Sequence, residues 1–261
     1  MNQVNKTLYI PLYGKAYVSC RGILLADPKA EAIWASESFP LKGKSKSKWL
    51  AFYMGIRAAV FDSWMEDTMK QQLDAVILHI GCGMDSRVER VGTGGHLWYD
   101  LDFPEVIGER KRYYTETDDY KMIAADVRET AWLEGLPKGS AIIVMEGVSM
   151  YLTPEQLSGV LANFGRHFEK VFLLMDCYTE FAAKASRYKN PINDVGVTKV
   201  FGLDDPCACI EGTKLRFQRE HDMMPQVLID ELKGMEKAIF RSLYAGRLAR
   251  RLYKLYEYRK D

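Results

Sequence analysis

The chain has 261 residues, 48% of them hydrophobic and 12% aromatic. That suffices for a packed core burying roughly three quarters of the unfolded surface. Its 36 basic and 35 acidic side chains leave a formal charge of +1, which argues against a broad basic face for nucleic acid. Five cysteines without CxxC spacing and no early apolar run of signal length predict a reduced, cytoplasmic protein. Apolar stretches of about eight residues fall far short of the roughly 20 that cross a bilayer, so no membrane partner is expected.

Nothing in the sequence marks a linker, so residues 1–72, 73–177 and 178–261 are read as three zones of one domain. The first is helical after an irregular start. Asp27 and Pro28 make a cap and first position for a helix to about Ser38. KGKSKSK (42–48) reads as a mobile, solvated connector. A long helix follows over about 47–72, where Leu50, Met54, Ala58, Phe61 and Met65 recur at helical spacing on one face.

The second zone alternates apolar runs with amphipathic segments. The runs are DAVILHI (74–80), HLWYDL (96–101), KMIAA (121–125), AIIVME (141–146) and VFLLMD (171–176). Helices are predicted to begin near Asp85, Pro104, Thr130 and Pro154, the last capped by Thr153. Near-continuous apolar strands alternating with helices imply an α/β, Rossmann-like fold whose mostly parallel sheet is covered on both faces. In the third zone, NPIND (190–194) and DDPCAC (204–209) interrupt the pattern. LRFQRE (215–220) suits a late strand and AGRLARRLYKLYEYRK (245–260) a basic helix. Such late elements are expected to wall a substrate pocket.

The strongest local signal is IGCGMDSR (80–87), directly after the first predicted strand. A glycine pair there lets backbone approach a ligand closely. A dinucleotide turn wants a third glycine where Ser86 stands, and its absence favours the phosphate-free S-adenosylmethionine over NAD. A GxG turn alone is as well explained by an ordinary tight turn. Asp100 and Asp102 then close the second strand, about 20 residues on, where a carboxylate would accept from ribose hydroxyls. Asp126 and Glu146 end the third and fourth runs. Singly, each acid is better read as a cap or solvated turn residue. Four successive strands delivering a turn or carboxylate at one sheet edge make a ligand site.

The strings IGCGMDSR, WYDLDFPEVI (98–107), AADVRE (124–129) and MEGVSMYL (145–152) resemble the leucine carboxyl methyltransferase family. LYIPLYGKA (8–16) and IRAAVFD (56–62) look more like its polyketide-biosynthesis, tetracenomycin-type O-methyltransferase branch. The resemblance covers residues 7–155 well and the remainder poorly. It implies an S-adenosylmethionine-dependent O-methyltransferase. Arg57 would then bind the methionine carboxylate of the cofactor, a task suited to a bidentate guanidinium. Gly81, Cys82 and Gly83 would line its turn, Asp102 with Asp100 its ribose, and Asp126 with Val127 its adenine. Glu146 would face its methionine end, and Lys15 would lie nearby. Cys82 departs from the small residue common in that turn.

A carboxylate acceptor needs no general base, whereas a hydroxyl does. His79, His96 and His167 fall in or beside core elements, leaving His221 as the best candidate base and Tyr151 as a possible positioning residue. Cys207 and Cys209 lack the partners of a metal site, so no metal is expected. The acceptor is expected to be a small molecule. A protein carboxyl terminus, a nicotinamide oxidoreductase and a non-catalytic binding protein remain the rival readings.

Overall fold

The computed structural model describes residues 8–36, 39, 41, 43–186, 199–246 and 251–261. The first described element is a helix, α1 (Tyr9–Cys20), and residues 1–7 of the expected irregular start lie outside the described residues. Pro11 does not oppose this helix, because the first turn of a helix has no use for that amide hydrogen. Helix α2 (Pro28–Ser36) starts where expected, with Asp27 Oδ1 accepting from Ala30 N at 2.8 Å. Its expected end at Ser38 lies outside the described residues.

The lysine-rich connector is more ordered than its composition suggested, with Gly43–Lys46 forming a 3-10 turn and Ser45 buried. Lys42 lies outside the described residues. Ser47 then caps the 24-residue α3 (Lys48–Gln71). Apolar side chains nearly surround the first four turns of α3, so this helix is core rather than surface.

The sheet combines β1 (Val76–Ile80), β2 (Trp98–Asp102), β3 (Tyr120–Ala124), β4 (Ser140–Met145), β5 (Lys170–Tyr178), β6 (Arg216–Glu220) and β7 (Tyr253–Lys260). Their order is β3-β2-β1-β4-β5-β7-β6, with β1 to β5 parallel and β7 antiparallel to both neighbours. The switch in direction of winding falls between β1 and β4, where ligands bind in open α/β sheets. Helices α4 (Arg87–Val91), α5 (Pro104–Arg110) and α6 (Pro154–His167) follow β1, β2 and β4. Thr153 and Gln156 form a reciprocal capping box on α6. No full helix forms after Thr130, only a 3-10 turn at Ala131–Leu133.

The basic helix expected over 245–260 is corrected by the structure. Residues 247–250 lie outside the described residues, and Tyr253–Lys260 is strand β7. The period is two, not 3.6. Tyr256 and Tyr258 face the core cluster containing α6, while Tyr253 and Leu255 face the cluster containing α1 and α3. The charges that suggested a helix are matched along the hairpin, with Glu257 accepting from Arg219, His221 and Arg259. NPIND lies outside the described residues. Helix α7 (Glu180–Ser186) follows β5, and α8 (Gln226–Ile229) and α9 (Gly234–Leu243) lie between β6 and β7 in the chain. Among the described residues no helix is long and apolar enough to cross a membrane.

Candidate active site

The parallel strands end on a common edge, roofed by α1 and α3, and enclose a cavity of about 390 Å³. That volume lies in the range of small-molecule sites, roughly 300–1,000 Å³. Its floor is the β1 turn. Gly81 and Gly83 have φ of +67° and +50°, and Gly147 in the facing β4 turn has +71°. A Cβ on Gly81 would stand 2.3 Å from Val148 Cγ2, so glycine is required there by packing as well as by backbone angle.

Nine expected residues line this cavity: Lys15, Arg57, Gly81, Cys82, Gly83, Asp102, Asp126, Val127 and Glu146. Asp102 holds the turn in place, accepting from Gly83 N at 2.8 Å with one carboxylate oxygen and from Phe103 N at 2.8 Å with the other. Burial raises its carboxyl above the ordinary value, and those two bonds offset part of the effect. Asp126 is clasped by Arg128, whose bonds lower its pKa. Burial pushes the Cys82 thiol well up, so it is an inert wall rather than a nucleophile.

At the other end stands a buried charge lattice. Arg57 donates from Nε to Glu146 at 2.9 Å and from Nη1 to Asp176 at 3.0 Å. Its Nη2 makes no hydrogen bond with the described residues. Arg87 crosses to Glu146, Asp62 and His79. Lys15 reaches down from α1 to Asp85 at 3.2 Å. Burial alone would favour neutral Glu146, but Arg57, Arg87 and Lys15 overcome it and hold its pKa at about 2. Asp85 is likewise lowered, by Arg90, Lys15 and Arg87. Burial acts against the Arg57 charge, and Glu146 and Asp176 more than restore it.

Two expectations are corrected here. Asp100 does not line the cavity. It lies beneath the turn, fully buried, and accepts from Arg110, Tyr120 Oη at 2.7 Å and Trp98 Nε1 at 2.9 Å. Alternation puts neighbours two apart on one face, but only Asp102 stands at the strand's end, beside the β1 turn. His221 does not line the cavity either. Its Nε2 lies 2.7 Å from Glu257 Oε2 on the β6–β7 hairpin. Tyr151 does line it, beside Tyr178 and Tyr253.

His79 also lines the cavity but is committed to structure. Arg87 Nη1, which can only donate, lies 3.1 Å from Nε2, and Asp100, which can only accept, lies 3.1 Å from Nδ1. Nδ1 therefore faces an acceptor and Nε2 a donor, and both ring nitrogens are engaged. Sequence reasoning assigned nothing to Asp62, Asp85, Arg87, Arg110 and Asp176. The signal for Asp176 was present, since VFLLMD is a fifth strand ending in a carboxylate.

The lining carries four carboxylates (Asp85, Asp102, Asp126, Glu146) against three cations (Lys15, Arg57, Arg128). This balance suits a ligand with a net positive charge and opposes a pyrophosphate. S-adenosylmethionine, with a sulfonium, an ammonium and a carboxylate, meets it. Among the described residues no group of side chains is arranged to hold a metal ion.

Solved structures share this architecture. A DUF574-family protein from Streptomyces avermitilis aligns with a TM-score of 0.59 over 82% of this chain and 86% of that one, at 13% identity. Magnesium protoporphyrin IX methyltransferase from Synechocystis, solved with bound S-adenosylhomocysteine, aligns at 0.54 over 90% and 93%, at 10% identity. At such identities the likeness is one of fold, a Rossmann-like α/β sheet covered by helices. The leucine carboxyl methyltransferase family model matches residues 16–165. The tetracenomycin polyketide synthesis O-methyltransferase of Streptomyces glaucescens is 30% identical over 204 residues, 76% of each chain. This chain belongs to the leucine carboxyl methyltransferase family.

Proposed function

We propose that the protein transfers a methyl group to an oxygen of a small, natural-product-type molecule, and to a carboxylate in preference to a hydroxyl. The observation that carries this is the state of the cavity's titratable groups. Asp85, Asp126 and Glu146 are ion-paired, Asp102 is bonded to the turn, and His79 is occupied at both nitrogens. None of these is idle as a general base. A carboxylate, already ionised at neutral pH, asks for none.

S-adenosylmethionine, when bound, supplies a methyl group already activated by its sulfonium. The chain supplies placement. Arg57 Nη2 is the donor for the methionine carboxylate, and Glu146 and Asp176 fix its plane from the other two nitrogens. Asp102 is the acceptor for the ribose hydroxyls, and Asp126 and Val127 flank the adenine. Tyr151, Tyr178 and Tyr253, with Met54 and Met150, exclude water at the acceptor end. Holding two reactants in line can contribute roughly 7–11 kcal/mol.

The test is methyl transfer from radiolabelled S-adenosylmethionine to paired aromatic acids and phenols. Alkaline treatment then separates the products, because methyl esters release methanol and methyl ethers do not. Label that is volatile after base supports a carboxylate acceptor. Base-stable label on phenols, with none on acids, would overturn that choice.

A further inference from the structure

A second cavity, of about 280 Å³, lies against the acceptor end of the first. It is lined by Tyr53 of α3, Glu220 to Met224 after β6, Tyr244 after α9, and Tyr253. Tyr253 lines both cavities. It is one member of an aromatic partition, with its ring centroid 4.4 Å from that of Tyr178 and 5.4 Å from that of Tyr53. Aromatic rings and methionine sulfurs therefore continue from Met54 and Met150 across Tyr253 to Met223 and Met224. Such surfaces suit flat, apolar ligands.

One polar group in this second cavity is prepared for a ligand. Glu220 is taken by Lys254 at 2.7 Å. His221 is different. Its Nε2 lies 2.7 Å from Glu257 Oε2, and Glu257 is buried, with a pKa held at about 2 against burial by His221, Arg219 and Arg259. Arg219 Nε lies 3.2 Å from the same nitrogen but closer, at 2.9 Å, to Glu257 Oε2, so its hydrogen goes to the carboxylate. An ionised carboxylate can only accept, so Nε2 carries the hydrogen on the shorter contact and the ring plane is fixed. Nδ1 makes no hydrogen bond with the described residues. The bond to Glu257 occupies one imidazole nitrogen and fixes the ring, which leaves the second nitrogen open to a ligand.

We propose that the second cavity is the distal half of the acceptor site, and that His221 Nδ1 selects acceptors carrying a hydroxyl on a ring remote from the methylated group. This rests on the methyltransferase reading above. The acceptor class is then an elongated, multi-ring aromatic acid, too long for the space beside the cofactor and passing Tyr253. His221 is a specificity residue and touches no reacting atom.

The probes are benzoate, 2-naphthoate and 6-hydroxy-2-naphthoate, titrated calorimetrically into protein saturated with S-adenosylhomocysteine. Affinity should rise from one ring to two and again with the distal hydroxyl. His221→Ala should weaken only the hydroxylated probe, by about tenfold, the scale of a hydrogen bond to a fixed partner. His221→Asn, which places an amide near the Nδ1 position, should recover part of that loss. Met223→Trp, filling the cavity, should abolish the gain from the second ring. Equal affinity for one and two rings, an equal effect of His221→Ala on all probes, or no binding by any of them would overturn the proposal. S-adenosylhomocysteine binding keeps the two readings apart. Its loss in the parent protein would refute the methyltransferase reading, whereas its retention with failed probes would refute the distal site alone.

Discussion

Replacing Gly81 by alanine should damage the β1 turn in two separable ways. The residue has φ of +67°, and its N–H donates to Leu101 O at 2.7 Å, so it cannot relax without losing that bond. Left-handed backbone with a Cβ costs about 1–2 kcal/mol. The new Cβ would also stand 2.3 Å from Val148 Cγ2. Valine branches at Cβ and cannot swing its methyl away cheaply, so overpacking adds about 1–3 kcal/mol. The total, about 2–5 kcal/mol, is a large share of a typical folding free energy of roughly 5–15 kcal/mol. Urea unfolding of Gly81→Ala, Val148→Ala and the double variant separates the two parts. Val148→Ala should remove the overpacking and leave about 1–2 kcal/mol of backbone strain in the double variant. S-adenosylhomocysteine affinity should fall in Gly81→Ala and partly recover in the double. A Gly81→Ala protein within about 0.5 kcal/mol of the parent, or no recovery with Val148→Ala, would refute this account of the turn.

Asp102→Asn should weaken S-adenosylhomocysteine binding by about 10- to 100-fold, as expected for losing charge-assisted hydrogen bonds; calorimetry showing unchanged affinity would remove its ribose role. Asp100→Asn should instead lower stability by about 3–5 kcal/mol in chemical denaturation, because it strips Arg110 of its buried partner, while the folded protein keeps its cofactor affinity. Arg57→Ala should do both, since it leaves Glu146 and Asp176 buried without their shared cation. Stability should also depend on acid. Glu146 and Asp100 are both held at about 2, below their unfolded values, so their contribution is complete above about pH 4.5 and is lost as pH falls toward 2. Asp102 and Asp176, raised by burial, act in the opposite sense and soften the transition. Thermal unfolding from pH 7 to pH 2 should therefore show a fall in melting temperature concentrated below pH 4.5.

The parallel half of the sheet was legible chiefly because β1, β4 and β5 are buried on both faces and so read as uninterrupted apolar runs. The β7 strand was not. Its lysine, glutamate and arginine side chains are matched across the β6–β7 hairpin, and no local pattern in 245–260 reveals a partner some 35 residues earlier. At the site, residues at strand ends could be placed from the sequence because the fold delivers them to one edge. Asp100 could not be told from Asp102 without knowing where β2 stops. The charge lattice was equally hidden, since Asp62, Arg87 and Asp176 meet only when α3, α4 and β5 converge on Arg57 and Glu146. His221 was noticed for its chemistry but misplaced, because its environment is set by a strand read as a helix.

The central claim is that the cavity between Asp126 and Arg57 binds a cationic, phosphate-free cofactor through Asp102 and the β1 turn. Calorimetric titration of the parent protein and Asp102→Asn with S-adenosylmethionine, S-adenosylhomocysteine and NADH tests it most directly. The account predicts micromolar binding of the first two by the parent, a clear loss in Asp102→Asn, and no binding of NADH. Binding of NADH, or indifference of all three titrations to Asp102, would contradict it.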